Sequence, residues 1–510
     1  MLWRRISKAA AACLVLLAAS GALRCASTAV SKPLRSMLIC HFSGAGDYQS
    51  RRIGAALGRM LCYRASNLSQ LSNLPPKLVV DRALRQEGLG RDMVLNAVNA
   101  RKVAAAAGQE WVVVGSVRRA DSNLFIVTTE IYGVVSGRMI GAPVVTSGTQ
   151  EQLPAMEVEL ARNLLGGAGI PLTPQQKTDL GKALTVKPLA ISLLGDYLLA
   201  SEQDAPKILA KLTDADPDFP VAGLCRVDAA YRSGRSWETL TLARRFKARF
   251  PRNKDFASYE FGALATMKRF GEAAIALDQI EVYYPESFCL VWLRSQLNHL
   301  EGKYWSALQF AKRLVELNPA SPEGYARIAS AALESGMRLG DELALGAVTA
   351  GQAGEFAAAI DAACKAGEQA VELDPKYEEV WLTLMAAYRE RGDYAKSLAT
   401  YRRVMAVNPK TREAKPSLAL TYLCWNKTDL AKTAAQSALV ENPNLPEALV
   451  TLALCAKNQN DQKTAASCSK RALALDKRCG DVSYLRYQKL WPIQMAQQAG
   501  RLAPKSRAGG

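Results

Sequence analysis

Apolar residues recur with a helical period along most of the carboxy-terminal half of the chain. In residues 378–390, apolar side chains from Trp381 to Tyr388 return every three or four positions, which predicts one amphipathic helix. Gly392 then interrupts the pattern, and the same spacing resumes behind it. Pro409 ends the second segment because proline disfavours a helical residue before it. The predicted unit is therefore a helix, a turn, a second helix and a stop.

Proline positions show that this unit repeats at a fixed interval. Prolines stand 34 residues apart in two series, Pro217, Pro251, Pro285 and Pro319, then Pro375, Pro409 and Pro443. The step between the two series is 56 residues, which is one repeat plus a 22-residue insertion near 337–358. A constant period of this length is typical of stacked helix pairs, since one pair cannot bury its own apolar face. The pattern predicts about eight helix pairs in residues 186–477.

One copy of the unit carries a family resemblance. The segment WLTLMAAYRERGDYAKSLATYRRVMAVNP, residues 381–409, resembles the tetratricopeptide repeat family. The resemblance implies an all-α solenoid whose first helices line a concave groove for a peptide or helix of another protein. The insertion either lengthens the helices of one repeat or forms a loop over the groove.

The carboxy-terminal end is expected to close the array. In residues 478–500, Tyr484, Tyr487 and Trp491 fall on one helical stripe, which predicts a capping helix over the last repeat. Residues 501–510 form a basic tail.

The region 34–150 has a different pattern, with short apolar runs between helical segments. The runs SMLICHF and KLVVDR predict strands, as do residues 111–118 and 123–132. Helices are expected at YQSRRIGAALGRMLCYRA and at 96–107, and a turn at 135–137 leads toward a further edge strand. This order predicts a small α/β domain with a mixed sheet. The fold class is therefore α+β multidomain, with this domain ahead of the all-α solenoid.

This amino-terminal domain resembles that of TolB-type periplasmic proteins. The segments LVVDR, ARKVAAAAGQEWVVVGSVRR and FIVTTEIYGVVSGRMIG carry the resemblance, and the helical linker 151–185 is similar to the junction such chains place before their repeats. The loop SGAGDY departs from the family, where it is longer and more acidic. Its Gly44 and Gly46 predict a tight strand-to-helix turn, because a third glycine and the GK[ST] of a phosphate loop are missing.

The first 29 residues have the pattern of a secretory signal. Basic residues precede a charge-free apolar run at 9–23, which is shorter than the roughly 20 residues that span a membrane. We therefore expect an exported protein of the periplasm or cell envelope, cleaved after Ala22 or Ala29. Retention of the segment as a membrane anchor and lipidation at Cys25 are the alternatives.

Charge and reactive residues narrow the function classes. The net charge is +18, yet residues 186–477 carry only +2, so a phosphate-binding groove along the repeats and a nucleic-acid partner are not expected. Two of the eleven cysteines, Cys13 and Cys25, belong to the predicted signal region. The other nine contain no CxxC pair and are interpreted as buried apolar residues, with disulfides as the alternative. His41 and His299 are the two histidines, and neither has a catalytic or zinc partner motif. We expect no enzyme activity, no cofactor and no metal site.

The tetratricopeptide resemblance assigns nine residues to the groove. They are Trp292, Gln296, Arg327, Ser330, Leu382, Arg389, Leu420, Val450 and Lys457. Leu382 and Val450 stand where carboxylate clamps of the family carry polar groups, so an apolar or mixed peptide is expected.

The expected function is that of an exported, non-enzymatic scaffold with a partner protein in the groove and the amino-terminal domain as a second docking module. One alternative is a binder of an anionic envelope polymer through the amino-terminal domain, which carries +7. Its candidate residues are Arg51, Arg52, Arg59, Arg118 and Arg119. Another alternative is a structural subunit of an envelope complex, and oligomeric state stays open.

Overall fold

The computed structural model describes residues 36–502 except 45, 69–70, 72–76, 90–95, 345–349, 410 and 412. These described residues group into one unit by their mutual contacts. The predicted signal segment and nearly all of the predicted basic tail lie outside the described residues.

A five-stranded mixed sheet occupies the amino-terminal region. Its strands are β1 (Met37–Ile39), β2 (Ser43–Gly44), β3 (Trp111–Arg119), β4 (Phe125–Gly133) and β5 (Val144–Gly148). The order is β1-β3-β4-β5, and β2 also pairs with β3. β1 and β2 run parallel to β3, whereas β4 is antiparallel to both β3 and β5. The mixed sheet, the hairpin and the further edge strand are thereby confirmed.

Helices cover both faces of this sheet. They are α1 (Tyr48–Ser66), α2 (Lys77–Gln86) and α3 (Ala97–Ala106). Successive β1 residues point to opposite faces, so Met37 joins a core with α1 whereas Leu38 joins a core with α2 and α3. Asp47 caps α1 by accepting a hydrogen bond from the Ser50 amide at 2.9 Å. The glycine-containing loop before it is therefore a strand-to-helix turn, as the sequence indicates.

The strand predicted at KLVVDR is wrong, because these residues belong to α2. An apolar run this short fits a strand or a buried helical turn equally well. Ala83 and Leu84 are buried against the sheet one turn later, so the apolar face continues at helical spacing. Arg82, immediately before Ala83, points toward the repeats.

Two linker helices and eight helix pairs follow the sheet. The linker helices are α4 (Leu153–Gly167) and α5 (Pro174–Leu180). The first helices of the pairs are α6 (Pro188–Leu199), α8 (Pro220–Arg232), α10 (Lys254–Thr266), α12 (Phe288–Leu300), α14 (Pro322–Ala344), α16 (Glu378–Glu390), α18 (Ala414–Cys424) and α20 (Pro446–Asn458). The second helices are α7 (Ala205–Ala215), α9 (Ser236–Arg249), α11 (Phe270–Tyr283), α13 (Tyr304–Leu317), α15 (Ala350–Leu373), α17 (Tyr394–Val407), α19 (Thr428–Glu441) and α21 (Gln462–Leu475).

One apolar core runs from the sheet into the first repeats. It joins Met37 of β1 and Leu57 of α1 to Leu160 of α4 and Phe256 of α10. α1 approaches α6 so closely that a Cβ at Gly195 would lie 2.1 Å from the Arg52 carbonyl oxygen. The division into domains at residues 150 and 185 stays a prediction, because this core extends across both positions.

The turn between the two helices of three successive repeats has a left-handed backbone. Gly392 has a φ of 78°, and Asn426 and Asn460 hold the same slot in the next two repeats at 57° and 58°. This conformation is open to glycine and tolerated by asparagine. The predicted helix at 378–390 is confirmed to the residue.

The insertion lengthens one hairpin. α14 has 23 residues and α15 has 24, whereas the neighbouring α16 has 13. Of the two interpretations, the described residues support longer helices, and the connection at 345–349 lies outside them.

The single capping helix predicted for 478–500 is wrong in form. A 3-10 turn at Lys477–Gly480 and a π-type turn at Tyr484–Gln488 precede a short helix, α22 (Ile493–Gly500). Proline at position 492 and a φ of 56° at Leu490 break the helical path between them. The aromatic residues of the predicted stripe do pack against the array, but they contact two different parts of it.

Candidate partner-binding face

The nine predicted residues all lie on the first helices of successive repeats, from α12 to α20. We call the surface that they outline the first-helix face. Trp292, Arg389, Leu420 and Val450 are buried in the chain itself. The remaining members are partly exposed: Gln296, Arg327, Ser330, Leu382 and Lys457. Almost half of the predicted groove is therefore already occupied.

The amino-terminal domain docks on the loops that precede two of the first helices, α10 and α14. The Lys254 ammonium donates to the Ser66 carbonyl at 2.8 Å, and the Asn253 side chain donates to Asn67 at 2.9 Å. Further along the repeats, the Asn318 side chain donates to the Gly108 carbonyl at 2.6 Å. These contacts join the ends of α1 and α3 to the starts of α10 and α14.

Glu323, in the first turn of α14, is the centre of this interface. Its carboxylate accepts hydrogen bonds from Arg82 at 2.5 Å, Trp292 at 2.8 Å and Tyr377 at 2.9 Å. The Arg82 guanidinium also lies 3.6 Å from the centre of the Tyr377 ring. Burial raises the pKa of Glu323, but the charges of Arg82 and Arg327 outweigh it and bring the pKa to about 2. Trp292 thus serves an internal contact.

The carboxy-terminal segment occupies the other end of the face. We call residues 481–491 the strap. Arg486 is 1 % exposed and pairs with Asp341 at 2.8 Å and Glu390 at 2.5 Å. Its guanidinium also donates to the carbonyls of Met337 at 2.9 Å and Trp491 at 3.0 Å. The strap is therefore anchored to the ends of α14 and α16 by an arginine with two carboxylate partners.

Further strap contacts extend along the last repeats. The Tyr487 hydroxyl donates to Asp341 at 2.7 Å, and the Lys489 ammonium pairs with Glu447 of α20 at 2.5 Å. Strap residues Tyr484, Leu485 and Trp491 share a core with Leu420 and Val450. This core is what buries those two predicted groove residues.

Arg389 lies under the strap without a carboxylate partner. Its guanidinium donates to the Ser417 hydroxyl at 2.8 Å and to the Leu490 carbonyl at 3.3 Å. Among the described residues it forms no ion pair, and its Nε has no hydrogen-bond partner. Burial lowers the pKa of this guanidinium, partly offset by the charges of Cys424 and Glu390.

Between the two filled ends, four predicted residues remain accessible. We call Gln296, Arg327, Ser330 and Leu382 the central window. Arg327 stacks 4.7 Å from the centre of the Trp292 ring and donates to the Gln296 side chain. The window thus presents one cation, an amide, a hydroxyl and an apolar side chain.

A buried carboxyl adjoins the central window. The His299 Nε2 lies 3.5 Å from Glu334 Oε1, and the hydroxyls of Tyr304 and Ser330 hydrogen-bond to this carboxyl. Burial raises the pKa of Glu334 to about 7, against the opposite effect of the two hydroxyls. Burial and the charge of Arg327 lower the pKa of His299 to about 4. At neutral pH His299 is therefore uncharged, and Glu334 is about half protonated.

Sequence reasoning missed the charged residues that fill the face. The sequence patterns single out neither Glu323 nor Arg486, and they place Arg82 in a predicted strand. Arg486 falls off the helical stripe formed by Tyr484, Tyr487 and Trp491, where a solvated arginine is expected. Arg82 and Glu323 are 241 residues apart and carry no local signal of their contact.

The arginines of the polymer-binding alternative do not form one open surface. Arg52 donates to Gln49 at 2.6 Å and pairs with Asp196 at 3.5 Å. Arg59 lies within electrostatic range of Asp228, on the side of α1 that meets the repeats. The exposed members are Arg51, Arg118 and Arg119.

None of the nine cysteines in the described part of the chain forms a disulfide, and six of them are buried. No group of histidine, cysteine and carboxylate side chains that could hold a metal ion occurs among the described residues. No described helix combines the length and apolarity needed to cross a membrane.

Helix pairs that recur every 34 residues, preceded by a small mixed sheet, define a tetratricopeptide-type helical solenoid. No protein-family model and no curated protein matches the sequence. Among solved structures, a tetratricopeptide repeat protein from Parabacteroides merdae is similar over 56% of this chain and 98% of its own, with 13% identity and a TM-score of 0.40.

Two further solved structures show the same kind of similarity. PilF of Pseudomonas aeruginosa has 13% identity and a TM-score of 0.34, over 46% of this chain and 95% of its own. A human IFIT1 dimer with m7Gppp-AAAA has 15% identity and a TM-score of 0.37, over 63% of this chain and 77% of its own. Similarities at this level say nothing about the ligands of this chain.

Proposed function

We propose that this protein is an exported, non-enzymatic scaffold that binds a partner protein or peptide at the central window. The proposal rests on a difference in side-chain exposure along the first-helix face. Both ends of the first-helix face are filled by the chain itself, whereas Gln296, Arg327 and Leu382 stay partly exposed between them. Tetratricopeptide-type arrays offer this face to extended or helical peptides.

The chemistry of the central window suits a short segment of mixed character. Leu382 offers apolar contact, and Arg327 offers a guanidinium already oriented by the Trp292 ring. A preoriented guanidinium loses less side-chain entropy when it binds a carboxylate or carbonyl. We therefore expect a partner segment with an apolar residue next to an acceptor group.

The amino-terminal domain belongs to the same proposal as a second docking module. Its interior side is committed to the repeats through Glu323. Its outer side exposes Val145 on the edge strand β5, and Val135 and Met139 in the connection between β4 and β5. Apolar side chains beside an open strand edge suit contact with another protein.

Site-specific photo-crosslinking in cells of the source organism tests the central window. A crosslinking residue replaces Gln296 or Leu382, and matched controls carry it at Val282 or Val440, which are exposed on second helices. We expect one protein to crosslink from both window positions and from neither control. Arg327→Glu should abolish that product. Identical products from window and control positions would refute the proposal.

Export is proposed from the amino-terminal pattern and is tested by fractionation and amino-terminal sequencing of the mature protein. We expect it in the envelope fraction, beginning after Ala22 or Ala29. A full-length protein in the cytoplasmic fraction would contradict export, and a lipid-modified residue at Cys25 would replace simple cleavage by lipoprotein processing.

A further inference from the structure

The strap occupies positions that the repeat pattern reserves for a partner. It covers Arg389, Leu420 and Val450, three of the nine predicted groove residues, which lie on three successive first helices. Its remaining contacts are equally specific. A segment of this chain therefore already uses the carboxy-terminal half of the face as a peptide site.

The seat under the strap has a defined chemical preference. Asp341 and Glu390 flank one guanidinium, and Glu447 pairs with one ammonium. Apolar residues around Leu420 receive the aromatic rings between these charges. Three carboxylates spaced along an apolar surface complement a basic segment that contains aromatic residues.

Two features of the bound strap are unfavourable. Leu490 adopts a φ of 56°, a region in which a branched side chain is strained. Arg389 beneath it is buried with an unpartnered Nε. A ligand with relaxed backbone at this point and an acceptor for Arg389 would satisfy the seat better than the strap does.

We propose that the strap occupies the binding site of a partner segment of the same chemistry. In that segment an arginine, a neighbouring aromatic residue and a lysine dock on Glu390, Asp341 and Glu447. Binding of that segment requires release of the strap. The inference rests on the proposed function, because it adds a second stretch of the same face and names the chemistry that the stretch accepts. A basic aromatic peptide is the committed occupant.

A labelled synthetic peptide with the sequence of residues 481–491 tests the proposal on the full-length purified protein. Fluorescence anisotropy compares the unaltered chain with Arg486→Ala, which frees Asp341 and Glu390. The apparent affinity for the peptide scales with the fraction of molecules in which the strap is released. We therefore expect about 100-fold tighter binding to the variant. The same peptide with alanine in place of its arginine should bind neither chain.

Two further variants complete the design. Tyr487→Phe removes one hydrogen bond to Asp341 and should tighten peptide binding by a smaller factor. This variant tests the proposal if Arg486→Ala fails to fold. Arg313→Ala alters exposed ion pairs on α13 that do not involve the strap, and this variant should bind the peptide as the unaltered chain does.

Several results would overturn the proposal. The first is that Arg486→Ala folds, with unchanged circular dichroism, but binds the peptide no better than the unaltered chain. Another is equal binding of the arginine and alanine peptides. A dimer in light scattering, formed when the released strap enters a second copy, would assign the seat to this chain instead of a partner. Each result is independent of whether the central window yields a crosslink, so the two proposals can fail separately.

Discussion

Replacing Glu323 with glutamine removes the carboxylate that Arg82, Trp292 and Tyr377 share. The pKa of Glu323 is about 2 in the folded chain against an ordinary value of 4.5, and this difference corresponds to about 3 kcal/mol of folding stability at neutral pH. Because the folded pKa is depressed, the stabilisation is complete above pH 4.5 and is lost as the pH falls toward 2. Protonation would leave the Arg82 charge buried without its partner.

Urea unfolding followed by circular dichroism measures this contribution. At neutral pH we expect Glu323→Gln to lower the free energy of unfolding by about 3 kcal/mol, and the gap between the two chains should close as the solution is acidified below the ordinary pKa of glutamate. Glu316→Gln is the control, since Glu316 forms an exposed ion pair with Arg313 that contributes under about 1 kcal/mol. A gap that is independent of pH, or equal for both variants, would refute the electrostatic reasoning.

Three other predictions concern packing and titration. Arg486→Ala should lower the free energy of unfolding by about 3–5 kcal/mol, because it strands two carboxylates, and hydrogen exchange should rise in α14 and α16. Gly108→Ala should destabilise the docking of the amino-terminal domain, since its φ is 66° and a Cβ would lie 2.5 Å from the Ser321 Cα; limited proteolysis compares it with Gly166→Ala, which meets no neighbour within 4 Å. Glu334→Gln should raise the melting temperature above pH 7 but not below pH 4.5, because a raised folded pKa costs the unaltered chain stability as the pH rises between those values.

The repeat array was predictable because the apolar pattern that defines each repeat lies among neighbouring residues. The helix expected at 378–390 matches Glu378–Glu390, since Trp381 and Tyr388 report a local helical face. Every pair must bury the same stripe against its neighbours, so one well-formed copy fixes the others. Even the turn slot at Asn426 follows from its spacing to Gly392.

Short apolar runs without a repeat were less informative. KLVVDR forms the first turns of α2, although its β-branched residues favour a strand. The deciding contacts are non-local, because Ala83 packs on the sheet while Arg82 reaches Glu323 on α14. A window of six residues contains neither partner.

Occupancy of the first-helix face could not be predicted from the period for the same reason. The repeats place Arg389 on the correct helix, but the carbonyl that covers it belongs to Leu490, 101 residues later. Segments outside the repeat follow no period, so their docking sites leave no regular signal. The sequence therefore indicates which repeat positions form the first-helix face. It does not indicate which of these positions the chain itself covers.

The insertion explains where the strap can dock. Met337 and Asp341, which hold Arg486, both lie in the segment by which α14 exceeds the length of an ordinary first helix. The opposite end of α14 holds Glu323, the centre of the contact with the amino-terminal domain. One lengthened helix thus receives the chain's own segments at both ends, and the central window lies between these two anchors. Shortening α14 by the inserted residues would remove the seat of Arg486 while leaving the contact of Glu323 with Arg82 intact, and hydrogen exchange would then rise in the strap alone.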